Sequence, residues 1–206
     1  ICAPYRIRRK ACNPPAPIPH PHHAHAPASL HDPAALVRAR VLTGCARVAE
    51  GFERVRATIL ERARDLPKLQ AEVSEMRAKM RDNLGSRETA AGTGANAFDA
   101  ATSFDLKQDA GGIVDIEFMV QYAALAWSGQ HPELHRYTDN IRILDGLRDV
   151  GLLPAADVEL LQEAYKAYRS AAHRQALQKQ PGKVGGDQFA EERRSVMRLW
   201  RELGLN

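Results

Sequence analysis

Apolar residues recur every three or four positions from Pro33 to Leu203, and proline or glycine breaks that rhythm into short runs. A 3.6-residue period cannot sit still as a strand, so the folded part is expected to be all-α, a bundle of about seven helices. Composition agrees. Aromatics make up only 6% of the 206 residues, and the abundant Ala, Leu, Arg, Glu and Gln lose little rotamer freedom in a helix.

The expected helices follow from their punctuation. Asp32 caps the first, with Pro33 at its first position, and it runs to about Thr43. Residues 46–64 place Val48, Phe52, Val55 and Ile59 on one inward face. Pro67 opens a helix to Leu84 in which Leu69, Val73, Met76, Met80 and Leu84 form a packing stripe, with Glu75 and Lys79 paired on the other side. Gly85 ends it. FDLKQDAGG reads as a short extended piece and a glycine turn. The helix that follows carries Ile113, Ile116, Val120, Ala123 and Trp127 on one face, with Asp115 and Glu117 on others. Thr138 or Asp139 caps the next, carrying Ile141, Leu144, Leu147 and Val150. Pro154 opens the longest, with Val158, Leu161, Tyr165, Tyr168 and Ala172 inward, and Pro181–Gly182 stops it. A last helix runs from about Phe189 to Leu203 with Val196, Leu199 and Trp200.

Residues 1–31 follow another logic. They hold seven prolines and five histidines without an amphipathic period, and are expected to be a disordered tail. His20, His22, His23 and His25 are imidazoles of the kind that bind transition metals. The stretch reads more simply as a solvated low-complexity tail, or as sequence from outside the natural gene, which an initial Ile rather than Met fits. The rest divides into linking helices over 32–85, a flexible loop over 86–103 and a helical domain over 104–206.

Four of the 29 basic residues, Arg6, Arg8, Arg9 and Lys10, lie in that tail, with none of the 25 acidic ones. The remainder is balanced at 25 of each, so the net charge of +4 does not describe a basic binding face, and no nucleic-acid partner is expected. Cys2, Cys12 and Cys45 form no C-x-x-C pair and imply no zinc site. No apolar run reaches the roughly 20 residues that span a bilayer, and the N-terminus lacks a secretory apolar region. A cytoplasmic protein without a membrane partner is expected.

P-loop, GxSxG and HExxH patterns are absent. The Gly111–Gly112 pair opens a helix, where outward N–H groups and the positive dipole end would seat a phosphate, with Lys107 beside it. Gly112 is expected at positive φ. A tight turn explains the same pair, and acids in the first turns also serve the dipole.

The block K-x-x-x-G-G-I-x-D-I-E-F-x-x-Q, from Lys107 through Gly111, Gly112, Asp115 and Glu117 to Gln121, resembles the helical domain of bacterial glutamine-synthetase adenylyltransferases. These are bifunctional adenylylating and deadenylylating enzymes related to the PII uridylyltransferases. The resemblance continues through Thr138, Asp139, Asn140 and Arg142, then Ala164-Tyr165, Arg169, His173 and Pro181-Gly182, and reaches upstream to about Ala34. Asp139 and Asn140 look closer to the adenylylating half, and the chain ends about where such enzymes end.

That resemblance implies transfer of AMP from ATP, with Mg²⁺, to a tyrosine of glutamine synthetase, under control of PII protein. It implies no catalytic residue or metal ligand here. The family's nucleotidyltransferase core carries a Gly-Ser motif and an Asp-x-Asp pair, but here Gly85-Ser86 is the only Gly-Ser and no Asp-x-Asp follows. The chain is expected to be a C-terminal fragment, inactive alone, that faces the missing core. The residues implied to face core or nucleotide are Lys107, Gly111, Gly112, Asp115, Glu117 and Gln121, with Asp139, Asn140, Arg142 and His173. The alternative is a stand-alone helical interaction module with no nucleotide role.

Overall fold

The computed structural model describes residues 31–85 and 103–206. Of the expected tail over 1–31, residues 1–30 with His20, His22, His23 and His25 lie outside them, as do residues 86–102 of the expected loop over 86–103. Among the described residues the elements are α1 (His31–Arg38), α2 (Ala46–Leu60), α3 (Leu66–Leu84), β1 (Ser103–Asp105) and α4 (Ile113–Trp127). A 3-10 turn (Pro132–His135), α5 (Asn140–Asp149), α6 (Ala155–Leu177), β2 (Lys183–Gly185) and α7 (Ala190–Glu202) complete the order. The all-α bundle stands, with one small addition. β1 and β2 pair antiparallel, Phe104 opposite Val184, where only a turn at Pro181–Gly182 was expected. None of these helices is long and apolar enough to cross a membrane.

The bundle is built around α4, on which α1, α3, α5, α6 and α7 all pack. The sequence IVDIEFMVQYAALAW is apolar on nearly every side, and a helix of that kind is driven to the interior. Ile113, Ile116, Met119, Val120, Tyr122, Ala123 and Leu125 are buried in one core cluster. That cluster draws Val37, Leu60, Leu69 and Val73 from before residue 86, and Leu161, Tyr168, Trp200 and Leu205 from after 103. The apolar residues expected inside α5, α6 and α7 are all buried or packed against it.

Arginines close several helix ends. The last carbonyls of a helix lack intrahelical partners. Arg56 donates from Nε to Leu36 O at 2.8 Å, and from Nη2 to Val37 O at 3.0 Å, which closes α1. Arg64 does the same for α2, donating to Leu60 O and Ile59 O, and reaches Leu125 O in the last turn of α4. Asp65 and Asp139 cap α3 and α5 through the N–H groups of Lys68 and Arg142.

Three expectations need correction. First, α1 begins at His31 and stops at Arg38. Asp32 therefore lies inside its first turn rather than ahead of it, and the helix has ended before Thr43, where the chain bends with Gly44 at φ +139°. Second, the expected inward face of α2 is only partly inward: its buried residues are Arg56 and Leu60, Phe52 and Ile59 are half-buried, and Val48 and Val55 are exposed. Arg56 reaching α1 and Leu60 entering the core set the rotation of the helix. Third, the α3 stripe holds at Leu69, Val73 and Met76, but Leu84 is exposed and Arg77 is wholly buried.

Candidate functional site

The segment from Ser103 to Gln121 makes a strand, a corner and the start of the central helix. Asp105 shapes the corner locally. Its Oδ1 accepts from the N–H groups of Lys107 and Gln108, both at 2.9 Å, while its own N–H donates to Asp109 Oδ2 at 2.8 Å. Asn and Asp favour such turns because their short side chains mimic a backbone acceptor.

Gly111 takes φ +79°, the left-handed region that only glycine enters at no steric cost. A Cβ there would also lie 2.8 Å from Arg193 O, so the corner abuts α7 directly. Gly112 differs from expectation. It is extended, at φ −90°, and its lack of a side chain matters because a Cβ would lie 2.8 Å from Leu106 O.

The expectation of free outward amides also fails. Gly111 N–H donates to Asp115 Oδ2 at 2.6 Å, Gly112 to Asp109 O at 3.0 Å, Ile113 to Leu106 O at 2.9 Å, and Val114 to Lys107 O at 3.3 Å. The start of α4 spends these donors on the corner itself. Lys107 remains exposed beside it.

Asp115 is the hub. Neither its side chain nor that of Arg77 is exposed, and Arg77 Nε donates to Asp115 Oδ1. Arg77 Nη2 continues to Gln108 O at 2.8 Å. A buried charge is tolerable only when paired and hydrogen-bonded. One ion pair therefore joins α3, the corner and α4. Sequence reasoning missed Arg77, although Leu69, Val73, Arg77 and Met80 follow one helical stripe. An arginine on such a stripe, with an aspartate on an apolar helix, is the signal that was available.

Behind the corner, Arg193 lies over the Phe104 ring, 4.0 Å from its centroid, and donates to Gly186 O. Tyr168 sits edge-on to Phe104 and Phe189. Burial, with Glu192 adding to it, raises the Tyr168 hydroxyl far above the usual phenol range, so it stays protonated.

Glu117 belongs to a second, partly exposed group. It pairs with Arg38 at 3.2 Å and accepts from the Tyr165 hydroxyl at 3.1 Å. Arg169 donates to that hydroxyl at 3.4 Å and lies over the ring. α1, α4 and α6 thus meet in a row of polar groups. Gln121 stands one turn further along α4, half-buried, and His173 one turn beyond Arg169, exposed.

Asp139 and Arg142 form a third group at the start of α5. Asp139 accepts from Arg142 N–H at 3.0 Å and from its Nε at 2.5 Å, and the guanidinium covers Tyr137 at 4.3 Å. Partial burial raises the Asp139 carboxyl, but these bonds outweigh it and hold it below the usual value. Asn140 is buried, and neither polar atom of its amide has a hydrogen-bond partner among the described residues. The ten residues singled out by sequence therefore fall into separate groups. Among the described residues, no three His, Cys, Asp or Glu side chains stand close enough to hold a metal ion.

Fold and site together define a helical domain wrapped on one enclosed helix, with a strand-to-helix corner clamped by a buried ion pair. Residues 74–199, which contain that pair and corner, match the family described as GlnD PII-uridylyltransferase, and the chain belongs to this family. It is 73% identical over 172 residues to the bifunctional glutamine synthetase adenylyltransferase/adenylyl-removing enzyme of Pseudomonas syringae pv. tomato, covering 84% of this chain and 18% of that protein. The protein of the same description from Pseudomonas aeruginosa is 70% identical over 171 residues, 83% of this chain and 17% of its own. That of Hahella chejuensis is 44% identical over 169 residues, 82% of this chain and 17% of its own. The chain thus spans less than a fifth of the length of these relatives.

Proposed function

We propose that this chain is the helical module of a glutamine-synthetase adenylyltransferase, which serves transfer of AMP from ATP to a tyrosine hydroxyl of glutamine synthetase in the cytoplasm. The observation that carries the reading is 73% identity over 172 residues to a protein of that description. Regulation through PII protein belongs to the same reading.

The residues suit a supporting role. Mg²⁺ would supply charge neutralisation at the triphosphate, but the described residues offer no cluster to hold it, so no step runs through it here. ATP and Mg²⁺ belong to the nucleotidyltransferase core. Within this chain, Arg77 and Asp115 hold the corner rigid, and the corner presents Lys107 as a cation toward the nucleotide's phosphates. Glu117, Gln121 and His173 make one polar surface toward the core, Asp139 and Arg142 make another at the start of α5, and Asn140 is buried beside the second. Placement of such groups matters because misplacing a reacting group by about 1 Å costs on the order of 100-fold in rate.

A chimera tests this. The 172 matching residues of the Pseudomonas syringae protein are replaced by those of this chain, and labelled ATP, Mg²⁺ and glutamine synthetase are added. AMP transfer at the parental order of magnitude is expected, with none from this chain alone. A folded chimera without transfer would overturn the proposal, as would stoichiometric transfer by the isolated chain.

A further inference from the structure

We infer that the apolar stripe of α2 is a docking seam for a helix supplied by the remainder of the full-length polypeptide. Val48, Phe52, Val55 and Ile59 recur at steps of four, three and four, the spacing of a seam between two packed helices. None of the four joins the core cluster or packs against it among the described residues. Val48 is 59% and Val55 60% exposed, and Leu42, on the approach to α2, is 78% exposed. A Cβ on Gly51, beside the stripe, would meet nothing within 4 Å, so the way to it is open.

The helix cannot turn this stripe inward. Arg56 is tied to the carbonyls of Leu36, Val37 and His135, and Leu60 is wholly buried, which fixes the opposite choice. Phe52 and Ile59 on the same stripe are half-buried, so the stripe is partly covered, and apolar surface left open along one helix face marks an interaction site. The occupant follows from length. The segment recurs at 73% and 70% identity inside polypeptides of which it makes up 18% and 17%. There, more than four-fifths of the chain is available to cover α2. A helix is the element that a four-three-four stripe accepts, by placing its own apolar side chains between Val48, Phe52, Val55 and Ile59.

The inference rests on family membership and not on AMP transfer, so it fails separately from the chimera. Hydrogen exchange of residues 46–60 in this chain is compared with the matching helix of the full-length Pseudomonas syringae protein. Exchange about tenfold slower in the full-length protein is expected. The paired changes Val48→Glu and Val55→Glu should leave this chain's melting temperature unchanged, while their counterparts lower that of the full-length protein. Equal exchange in the two proteins, or an unmoved full-length melting temperature, would overturn the inference. So would a concentration-dependent dimer of this chain, seen by sedimentation and abolished by the two glutamates, because a second copy would then own the seam.

Discussion

Arg77 on α3 and Asp115 on α4 form an ion pair in which neither side chain touches solvent. The two stand 38 residues apart in sequence, and the pair ties both helices to the corner that begins α4. Arg77 Nη1 is buried without a hydrogen-bond partner among the described residues, so Arg77 is not fully satisfied even with Asp115 present. Removing one partner strands the other charge. Arg77→Met should therefore cost about 3–5 kcal/mol in urea unfolding. Asp115→Asn should cost a similar amount, because it also weakens the bond from Gly111. The double variant should lose at least about 1 kcal/mol less than the two single losses together. Strict additivity would show that the side chains do not act as a pair.

The glycine corner separates strain from collision. Gly111 and Gly151 share a left-handed backbone, at φ +79° and +74°, but only Gly111 has a neighbour where a Cβ would go. Gly151→Ala should cost about 1 kcal/mol from backbone strain alone. Gly111→Ala should cost at least 2 kcal/mol more, roughly, because Arg193 O cannot yield without moving α7. Equal losses in thermal melts would mean that α7 shifts freely and that the corner is not held against it.

Asp139 predicts a pH dependence. Its carboxyl is held below the ordinary value of 3.8 by Arg142. A carboxylate whose folded pKa is depressed adds stability above its unfolded pKa and loses it as pH falls through the folded one. Asp139→Ala should thus cost about 1 kcal/mol at pH 7, the worth of a helix cap. The gap from wild type should close below pH 3.8. A gap that stays constant through acid would show that the charge contributes nothing beyond shape.

Asn140 and Leu144 are both buried on α5, yet they should answer truncation differently. The unpartnered Asn140 amide carries a desolvation penalty of about 1–3 kcal/mol. Asn140→Ala should therefore leave stability unchanged or raise it, whereas Leu144→Ala should lose about 2–5 kcal/mol. A loss at Asn140 as large as that at Leu144 would show that its amide is satisfied in solution. If stability holds while the chimera loses transfer, Asn140 is kept for function at the expense of packing.

What the sequence determined by itself is everything written in local rhythm. The apolar period, Pro67 and Pro154 as openings, Gly85 and Gly151 as stops, and the Lys107–Gln121 block specify which residues are helical and which family the chain resembles. Such signals act within one or two turns, so a single strand of text carries them. What only tertiary structure decided is which way each helix faces and who meets whom. The stripe of α2 was legible, but the exposure of Val48 and Val55 was not, because Arg56 spends its donors on α1 and so rotates the helix. The same holds for Arg77 and Asp115. Asp115 was expected to face the core or nucleotide and Arg77 was given no role, and only the packing of α3 on α4 made them partners. The corner's donors were also expected free, but their partners Asp109, Leu106 and Asp115 lie within the same turn, and its backbone geometry, not a distant segment, brings them within reach. A hydrogen bond between distant segments has no local period, and its energy exists only once burial has removed water as the competing partner.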